Sequence, residues 1–359
     1  MSTVIGTGVI DCDIHITVPS VEVLFPYLAE HWRAYIQETA FKGPIDTSYP
    51  LGATITGRSS PSGPVLGSTL DEVREHVLNT ERLEFGILTC AYAVESVRNP
   101  FAAAALASAV NDWQAQEWLD REPRLRGSIL VPIQDPALAA TEIDRVGQHP
   151  GFVQVFLPVR SEAPYGNRRY YPVYEATLRH DLAIGIHFGG NPGNPPTAVG
   201  WPSSYVEEYI GMSHVFQSQL ISLVTEGIFD RFPALRVALL ESGVTWLPSL
   251  MWRLDKEWKG LRREVPWVRR LPSDYIREHV RMTTQPLDVP SEAVRVAEML
   301  DQIGSDDFLM FASDFPHRHG ADPMDALLTE APEVVARKIL RDNAAAFYRL
   351  PGSGSEHRD

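Results

Sequence analysis

Five ionisable residues stand where apolar stretches of the chain end, and their types are those that bind metal ions. Asp13 and His15 alternate within the apolar run GVIDCDIHI, so both side chains point to one face of a strand. His187, Glu241 and Asp314 each close a later apolar run. Two imidazoles and three carboxylates form a mixed nitrogen and oxygen set that suits zinc, manganese or iron. The sequence therefore predicts a centre of one or two divalent metal ions, Fe, Mn or Zn, with these five residues as ligands.

Acid and base chemistry needs further groups beside such a metal, and the sequence offers four candidate catalytic residues. Glu241 and Asp314 are carboxylates that can exchange a proton with a substrate. His214 lies where a helix is expected to begin after the fifth strand, and His317 follows Asp314 in SDFPHRHG. A structural role is an equally good interpretation of His214. Asp11, on the same face of the first strand, is expected to orient a ligand or a backbone group.

Eight short apolar runs would position these residues, and each is followed by a loop or by a helical pattern. They span residues 8–16, 85–94, 125–133, 152–159, 182–188, 235–241, 280–286 and 308–314. Near-continuous apolar strands indicate a sheet covered on both faces, and alternation of strand and helix is typical of a (β/α)8 barrel. An open doubly wound sheet is less favoured, because no glycine-rich phosphate motif follows the first strand. We therefore expect an α/β fold of the TIM-barrel type, with the ionisable residues at the C-terminal ends of its strands.

The domain organisation follows from the same pattern. Residues 1–350 are expected to form one metal-dependent barrel domain, and residues 351–359 a flexible tail. Residues 101–120 and 214–226 have helical patterns. Residues 41–70 are rich in Gly, Pro, Ser and Thr, and their place after the first strand predicts an inserted loop that acts as a lid over the site.

Composition excludes several classes of function. The chain has 359 residues, 44% of them hydrophobic, and a formal net charge of −14, which disfavours binding to nucleic acid or to anionic membranes. No signal-peptide pattern or transmembrane run is present, so a cytoplasmic protein is expected. Cys12 and Cys90 are expected to be buried thiols rather than a disulfide. The predicted partner is a small-molecule substrate, and a homo-oligomer is possible.

Several segments resemble the amidohydrolase-2 branch of the amidohydrolase superfamily: IDCDIH, IHFGG, LLESGVTWLPSLMWRLDKEW, FASDFPH and ARKILRDNAAAFYRL. That branch includes the aminocarboxymuconate semialdehyde, γ-resorcylate and 5-carboxyvanillate decarboxylase families. The resemblance implies a distorted TIM barrel with a divalent metal, and its ligand motifs match Asp13, His15, His187 and Asp314. Two positions differ from the family pattern. The first ligand is Asp13 rather than His or Glu, and Glu241 stands where the decarboxylases have a histidine followed by glycines.

The identity of residue 241 decides the expected reaction. A hydrolase needs a base that takes a proton from metal-bound water, and a carboxylate at position 241 can do this. The sequence therefore favours hydrolysis of an acyl compound, which would be a thioester, an ester or an amide. Non-oxidative decarboxylation of an aromatic or unsaturated carboxylic acid is the alternative, because a protonated Glu241 can also act as an acid. An inactive barrel used for binding is a third possibility, which the intact ligand set disfavours.

Overall fold

Eight parallel strands form one sheet in the computed structural model, which describes residues 8–45, 66–80, 82–289, 293–317 and 331–351. The strands are β1 Val9–His15, β2 Leu83–Thr89, β3 Leu125–Leu130, β4 Phe152–Pro158, β5 Ala183–His187, β6 Val237–Leu240, β7 Val280–Thr283 and β8 Leu309–Met310. They pair in chain order from β1 to β8, and each ladder is parallel. The predicted (β/α)8 barrel is confirmed, with every strand at a predicted apolar run.

Backbone hydrogen bonds bring the last strand back to the first. The Cys12 amide donates to the Phe311 carbonyl at 2.9 Å, and the His15 amide donates to the Phe315 carbonyl at 2.7 Å. These acceptors follow β8, whose ladder with β7 is only two residues long. The chain after Met310 therefore closes the barrel against β1 and carries its side chains to the C-terminal mouth.

Helices surround the sheet. They are α1 Glu30–Glu38, α2 Leu70–Val73, α3 Pro100–Gln114, α4 Pro136–Val146, α5 Tyr171–Arg179, α6 Tyr205–Thr225, α7 Ile228–Arg231, α8 Leu247–Leu261, α9 Pro272–His279, α10 Ala293–Ile303, α11 Glu333–Arg337 and α12 Asn343–Tyr348. Short 3-10 segments span Val21–Tyr27, Val94–Ser96 and Arg168–Tyr170, and π-helical turns span Arg74–Leu78, Ala115–Leu119 and Lys338–Asp342. The predicted helix at 101–120 is confirmed as α3 with the π-helical turn that continues it.

Local sequence explains where the helices begin. The Asn99 side chain accepts hydrogen bonds from two amides at the start of α3, and the Asp135 side chain does the same for α4. Each cap is followed by a proline at the first helical position, where no amide proton is needed. The Ser204 side chain caps α6 by accepting from the Glu207 amide. The side chains of Asn99, Asp135 and Ser204 therefore fix the N-terminal ends of α3, α4 and α6.

The apolar residues divide into two buried clusters. The larger one packs helices onto the outside of the sheet, and the smaller one joins residues of β1, β2, β5, β6 and β8 to α12. Cys12 and Cys90 are both buried free thiols, as predicted. Among the described residues no helix is long and apolar enough to cross a membrane.

Two predicted features fall mainly outside the described residues. The predicted lid at 41–70 includes residues 46–65, and the predicted tail at 351–359 includes residues 352–359, none of which the structure describes. Both features remain predictions.

Candidate metal centre

Asp13 is the innermost carboxylate of the site and is fully buried on β1. The Thr89 hydroxyl, at the end of β2, donates to Asp13 Oδ1 at 2.6 Å. Asp13 Oδ2 has no hydrogen-bond partner within the described part of the chain, although it lies 3.3 Å from His187 Nε2. A buried carboxylate oxygen without a hydrogen bond is costly unless a cation satisfies it.

Two imidazoles face each other across the barrel mouth. The Nε2 atoms of His15 and His187 are 3.3 Å apart. His187 Nδ1 lies 2.8 Å from the Phe188 carbonyl, which only accepts, so Nδ1 carries a proton and Nε2 is the ring nitrogen directed at the cluster. Two ring nitrogens pointed at one volume, beside an unsatisfied carboxylate, form the arrangement that a cation stabilises.

Two further carboxylates complete the cluster, and both belong to residues with a strained backbone conformation. Glu241, directly after β6, has φ 55°, and Asp314, in the segment after β8, has φ 57°. This left-handed conformation is uncommon for residues other than glycine and is concentrated at functional sites. Asp314 Oδ1 lies 3.0 Å from His15 Nε2, and Glu241 Oε2 lies 3.3 Å from His187 Nε2. The turns after β6 and β8 therefore aim both carboxylates at the imidazoles.

His317 packs against the same cluster from the turn that follows Asp314. Its Nδ1 lies 2.9 Å from Asp314 Oδ1 and 3.8 Å from Glu241 Oε1. Its ring centroid is 4.5 Å from that of His15. His317 thus connects the carboxylates of β6 and β8, which are far apart in sequence.

The pKa values of Asp13 and His15 are shifted towards the states that bind a metal. Burial alone would raise the pKa of Asp13, but the neighbouring His187 and His15 outweigh burial and hold this pKa below its usual range. Burial lowers the pKa of His15, which favours the neutral imidazole. Burial also acts to lower the pKa of His187, yet Asp13 more than compensates and raises it, so a cation would here replace a proton. Anionic carboxylates and neutral imidazoles are the states that bind divalent metals.

The donor atoms lie close enough together for metal binding. Ligand atoms of Asp13, His15 and His187 lie within 4.8 Å of one another, and so do those of His15, Glu241, Asp314 and His317. The five predicted metal ligands are therefore assembled in one cluster, and His317 joins them.

His214, the remaining predicted catalytic residue, is not brought to the cluster. It is exposed on α6, which begins at Tyr205, well before the expected start of the helix near position 214. The earlier start is marked by Ser204 and Glu207, a Ser-x-x-Glu capping pattern at the helix N-terminus. That pattern was the signal that would have placed His214 in the middle of the helix and on its outer face.

Asp11 has the orienting role that the sequence suggested. Its Oδ1 accepts hydrogen bonds from the amides of Asp13 at 3.1 Å and Ser313 at 3.0 Å. Burial raises the pKa of Asp11 to about 7. Asp11 therefore holds the backbone of β1 against the segment that leads to Asp314.

Sequence reasoning missed the threonines that support the ligands. The Thr283 hydroxyl oxygen, at the end of β7, accepts a hydrogen bond from the Glu241 amide at 3.2 Å, whereas the Thr89 hydroxyl, at the end of β2, donates to the Asp13 carboxylate. Thr89 is the last residue of β2 and Thr283 is the last residue of β7. A search for any polar residue at the strand ends, rather than for charged residues alone, would have found them.

Comparison with protein families identifies the family of the chain. Residues 10–350 match the family model described as Amidohydrolase. The chain belongs to this amidohydrolase family. The resemblance proposed from the sequence motifs is therefore confirmed.

The relatives of this amidohydrolase overturn the expected reaction. The γ-resorcylate decarboxylase of Rhodococcus jostii is 28% identical over 305 residues, which cover 78% of this chain and 88% of the relative. The expectation of a hydrolase, and of a thioesterase among hydrolases, was wrong, because these relatives are carboxy-lyases. The error arose because the ligand set and Glu241 are compatible with both reactions, so that the choice rested on one side chain.

Solved structures support the fold. A 5-carboxyvanillate decarboxylase from Novosphingobium aromaticivorans with bound manganese has a TM-score of 0.71 and 21% identity, over 96% of this chain and 98% of its own. A dihydroxybenzoic acid decarboxylase from Polaromonas with manganese and the inhibitor 2-nitroresorcinol has a TM-score of 0.67 and 22% identity, over 96% and 97%. In this chain the cluster of His, Asp and Glu side chains could hold a metal ion.

Proposed function

We propose that this amidohydrolase is a metal-dependent, non-oxidative decarboxylase of hydroxylated aromatic carboxylic acids. The observation that carries the proposal is the similarity to γ-resorcylate decarboxylases, which extends over 78% of the chain. The buried cluster of carboxylates and imidazoles at the barrel mouth supports it, because it provides both metal ligands and acid groups.

Asp13, His15, His187 and Asp314 would hold the metal, and manganese is the ion proposed. Carboxylate-rich sites with imidazoles suit this ion, and the neighbours from Novosphingobium and Polaromonas bind it. When bound, the cation would stabilise negative charge on the oxygens of the substrate as a Lewis acid. Asp11 and Thr89 keep Asp13 in place for this role, since both hydrogen-bond to it.

Glu241 is the group proposed to deliver the proton. In decarboxylation the bond between the ring carbon and the carboxylate breaks, CO2 leaves, and the electron pair left on the carbon takes up a proton. Asp13 and Asp314 are fully buried, whereas Glu241 is 8% exposed and is the carboxylate of the cluster with access to the space above it. The left-handed backbone of Glu241 and the hydrogen bond from its amide to Thr283 fix the position from which this side chain extends, as a positioned acid requires.

Release of CO2 by the manganese-loaded protein tests the proposal. The substrates are 2,6-dihydroxybenzoate and 5-carboxyvanillate, with a thioester and an anilide as hydrolysis controls. Loss of the carboxylated substrate should accompany CO2 release in equal amounts, and removal of the metal should stop it. A metal-loaded protein that releases no CO2 from either acid contradicts the proposal.

A further inference from the structure

Three aromatic residues whose rings pack in a row begin directly after His187 and take no part in the chemistry described above. Phe188 directly follows the ligand His187, and its ring centroid lies 5.2 Å from that of Tyr209 on α6. Tyr205, one turn earlier on α6, has its ring 5.8 Å from Tyr209. All three side chains are only partly buried. We call Phe188, Tyr205 and Tyr209 the aromatic wall.

The position of the wall is set by the elements that carry the ligands. The His187 ring nitrogen binds the Phe188 carbonyl, and the Phe188 amide donates to the Leu240 carbonyl, directly before Glu241. Phe188 is therefore tied to β5 and β6 at the point where both supply site residues. The contact between the rings of Phe188 and Tyr209 in turn fixes the position of Tyr209.

The Tyr209 hydroxyl lies in the field of the site carboxylates. Burial, and then the charges of Glu241 and Asp314, raise the pKa of Tyr209 well above its usual range. The hydroxyl therefore stays protonated and can donate a hydrogen bond. An anionic substrate entering this region needs such donors, because the carboxylates repel it.

We propose that the aromatic ring of the substrate stacks on the aromatic wall and that the Tyr209 hydroxyl donates a hydrogen bond to an anionic oxygen of that substrate. This inference rests on the proposed decarboxylase function and specifies how the site recognises its substrate. Partly exposed aromatic rings offer large, rigid surfaces to a planar ligand, and ring contacts add to the area they bury. The wall thus selects aromatic acids, and Tyr209 selects those with an anionic oxygen on the side of α6.

Binding of a non-reacting ligand separates recognition from catalysis. The probe is 2-nitroresorcinol, and calorimetry on the manganese-loaded protein gives its Kd. Tyr209→Phe keeps the ring and removes the hydroxyl, so Kd should rise about tenfold to a hundredfold, the range for a hydrogen bond to a charged group. Tyr209→Leu also removes the ring, and Kd should rise roughly a further threefold to tenfold. Phe188→Leu tests the contribution of an aromatic ring at a second position of the wall.

A neighbouring residue provides the matched control. Ile210 is adjacent to Tyr209 on α6 but is 68% exposed, so Ile210→Ala should leave Kd unchanged. Metal content is measured for each variant to exclude loss of the ion. The inference would be overturned if Tyr209→Phe, Tyr209→Leu and Phe188→Leu all bound the probe with the Kd of the parent. It would also be overturned if the parent did not bind the probe. Failure of the parent to release CO2 would instead overturn the proposed function. The Kd values of the variants would still show whether the aromatic wall binds the probe.

Discussion

Glu241 lies at the boundary between the buried metal ligands and the space above them. One of its oxygens faces His187 and the other faces His317, at 3.3 Å and 3.8 Å. A carboxylate with two imidazoles beside it can hold or release a proton according to what is bound nearby. This position explains how Glu241 can serve a decarboxylase, although its presence first favoured a hydrolase.

Replacing Glu241 by glutamine tests its role in proton delivery. Glu241→Gln keeps the size of the side chain but removes its acidity, so kcat for decarboxylation should fall about a hundredfold to ten-thousandfold, the range for a positioned acid or base. Manganese content should remain close to that of the parent. His214→Ala, on the exposed face of α6, serves as the control and should keep parental kcat. An unchanged kcat in Glu241→Gln would assign the proton to another group, with Asp314 the next candidate.

At the scale of elements, ion pairs join the segments that lead into the strands. Glu122, in the turn before β3, is buried and accepts from Arg124 and from Arg74, which follows α2. Both guanidinium contacts are 2.9 Å long. Hydrogen bonds from Arg124, together with Arg74, hold the pKa of Glu122 at about 2. The ionised carboxylate therefore ties the approach to β2 to the approach to β3.

This network predicts a pH-dependent contribution to stability. Because the pKa of Glu122 is lower in the folded state, its stabilising effect is present above about pH 4.5 and is lost as the pH falls towards 2. Glu122→Gln should lower the free energy of unfolding at pH 7 by about 1.5–3 kcal/mol and by less at pH 3, measured by urea denaturation. Glu117→Gln, which breaks a more exposed pair with Arg121, should cost under about 1 kcal/mol. Equal losses for Glu122→Gln at both pH values would contradict the assignment.

At the scale of the whole molecule, the metal site joins distant parts of the barrel. The side chains of the cluster come from β1 and β5 and from the segments after β6 and β8. Without a cation, three carboxylates repel one another at the closure of β8 onto β1. A bound ion therefore connects strands that are otherwise held by backbone hydrogen bonds and by the two apolar clusters.

Metal removal should accordingly destabilise the fold. Binding of manganese is expected to add about 2.7 kcal/mol to the free energy of unfolding at a free ion concentration of about 100 times Kd, which raises Tm. His187→Ala removes one ligand and should lose most of this increment and most activity while the barrel stays folded. His149→Ala, which changes a histidine paired with Asp120 away from the cluster, should retain the increment. A Tm that does not respond to manganese in the parent would speak against the centre.

The sequence by itself determined the barrel and the residue types of the predicted metal centre. Apolar runs with period-two alternation are local signals, and the C-terminal ends of parallel strands must meet at one face. Asp13, His15, His187 and Asp314 could therefore be assigned to one site without any knowledge of distances.

Only the tertiary structure decided which other groups join these ligands. His317 and His214 both follow strands that supply a ligand, yet the turn after Asp314 directs His317 into the cluster while the geometry of α6 leaves His214 exposed. The aromatic wall also depends on the contact between Phe188 and Tyr209. Their ring centroids are 5.2 Å apart, although the two residues belong to different elements. Such contacts depend on how helices pack on the barrel, and packing is determined by the whole chain rather than by local pattern.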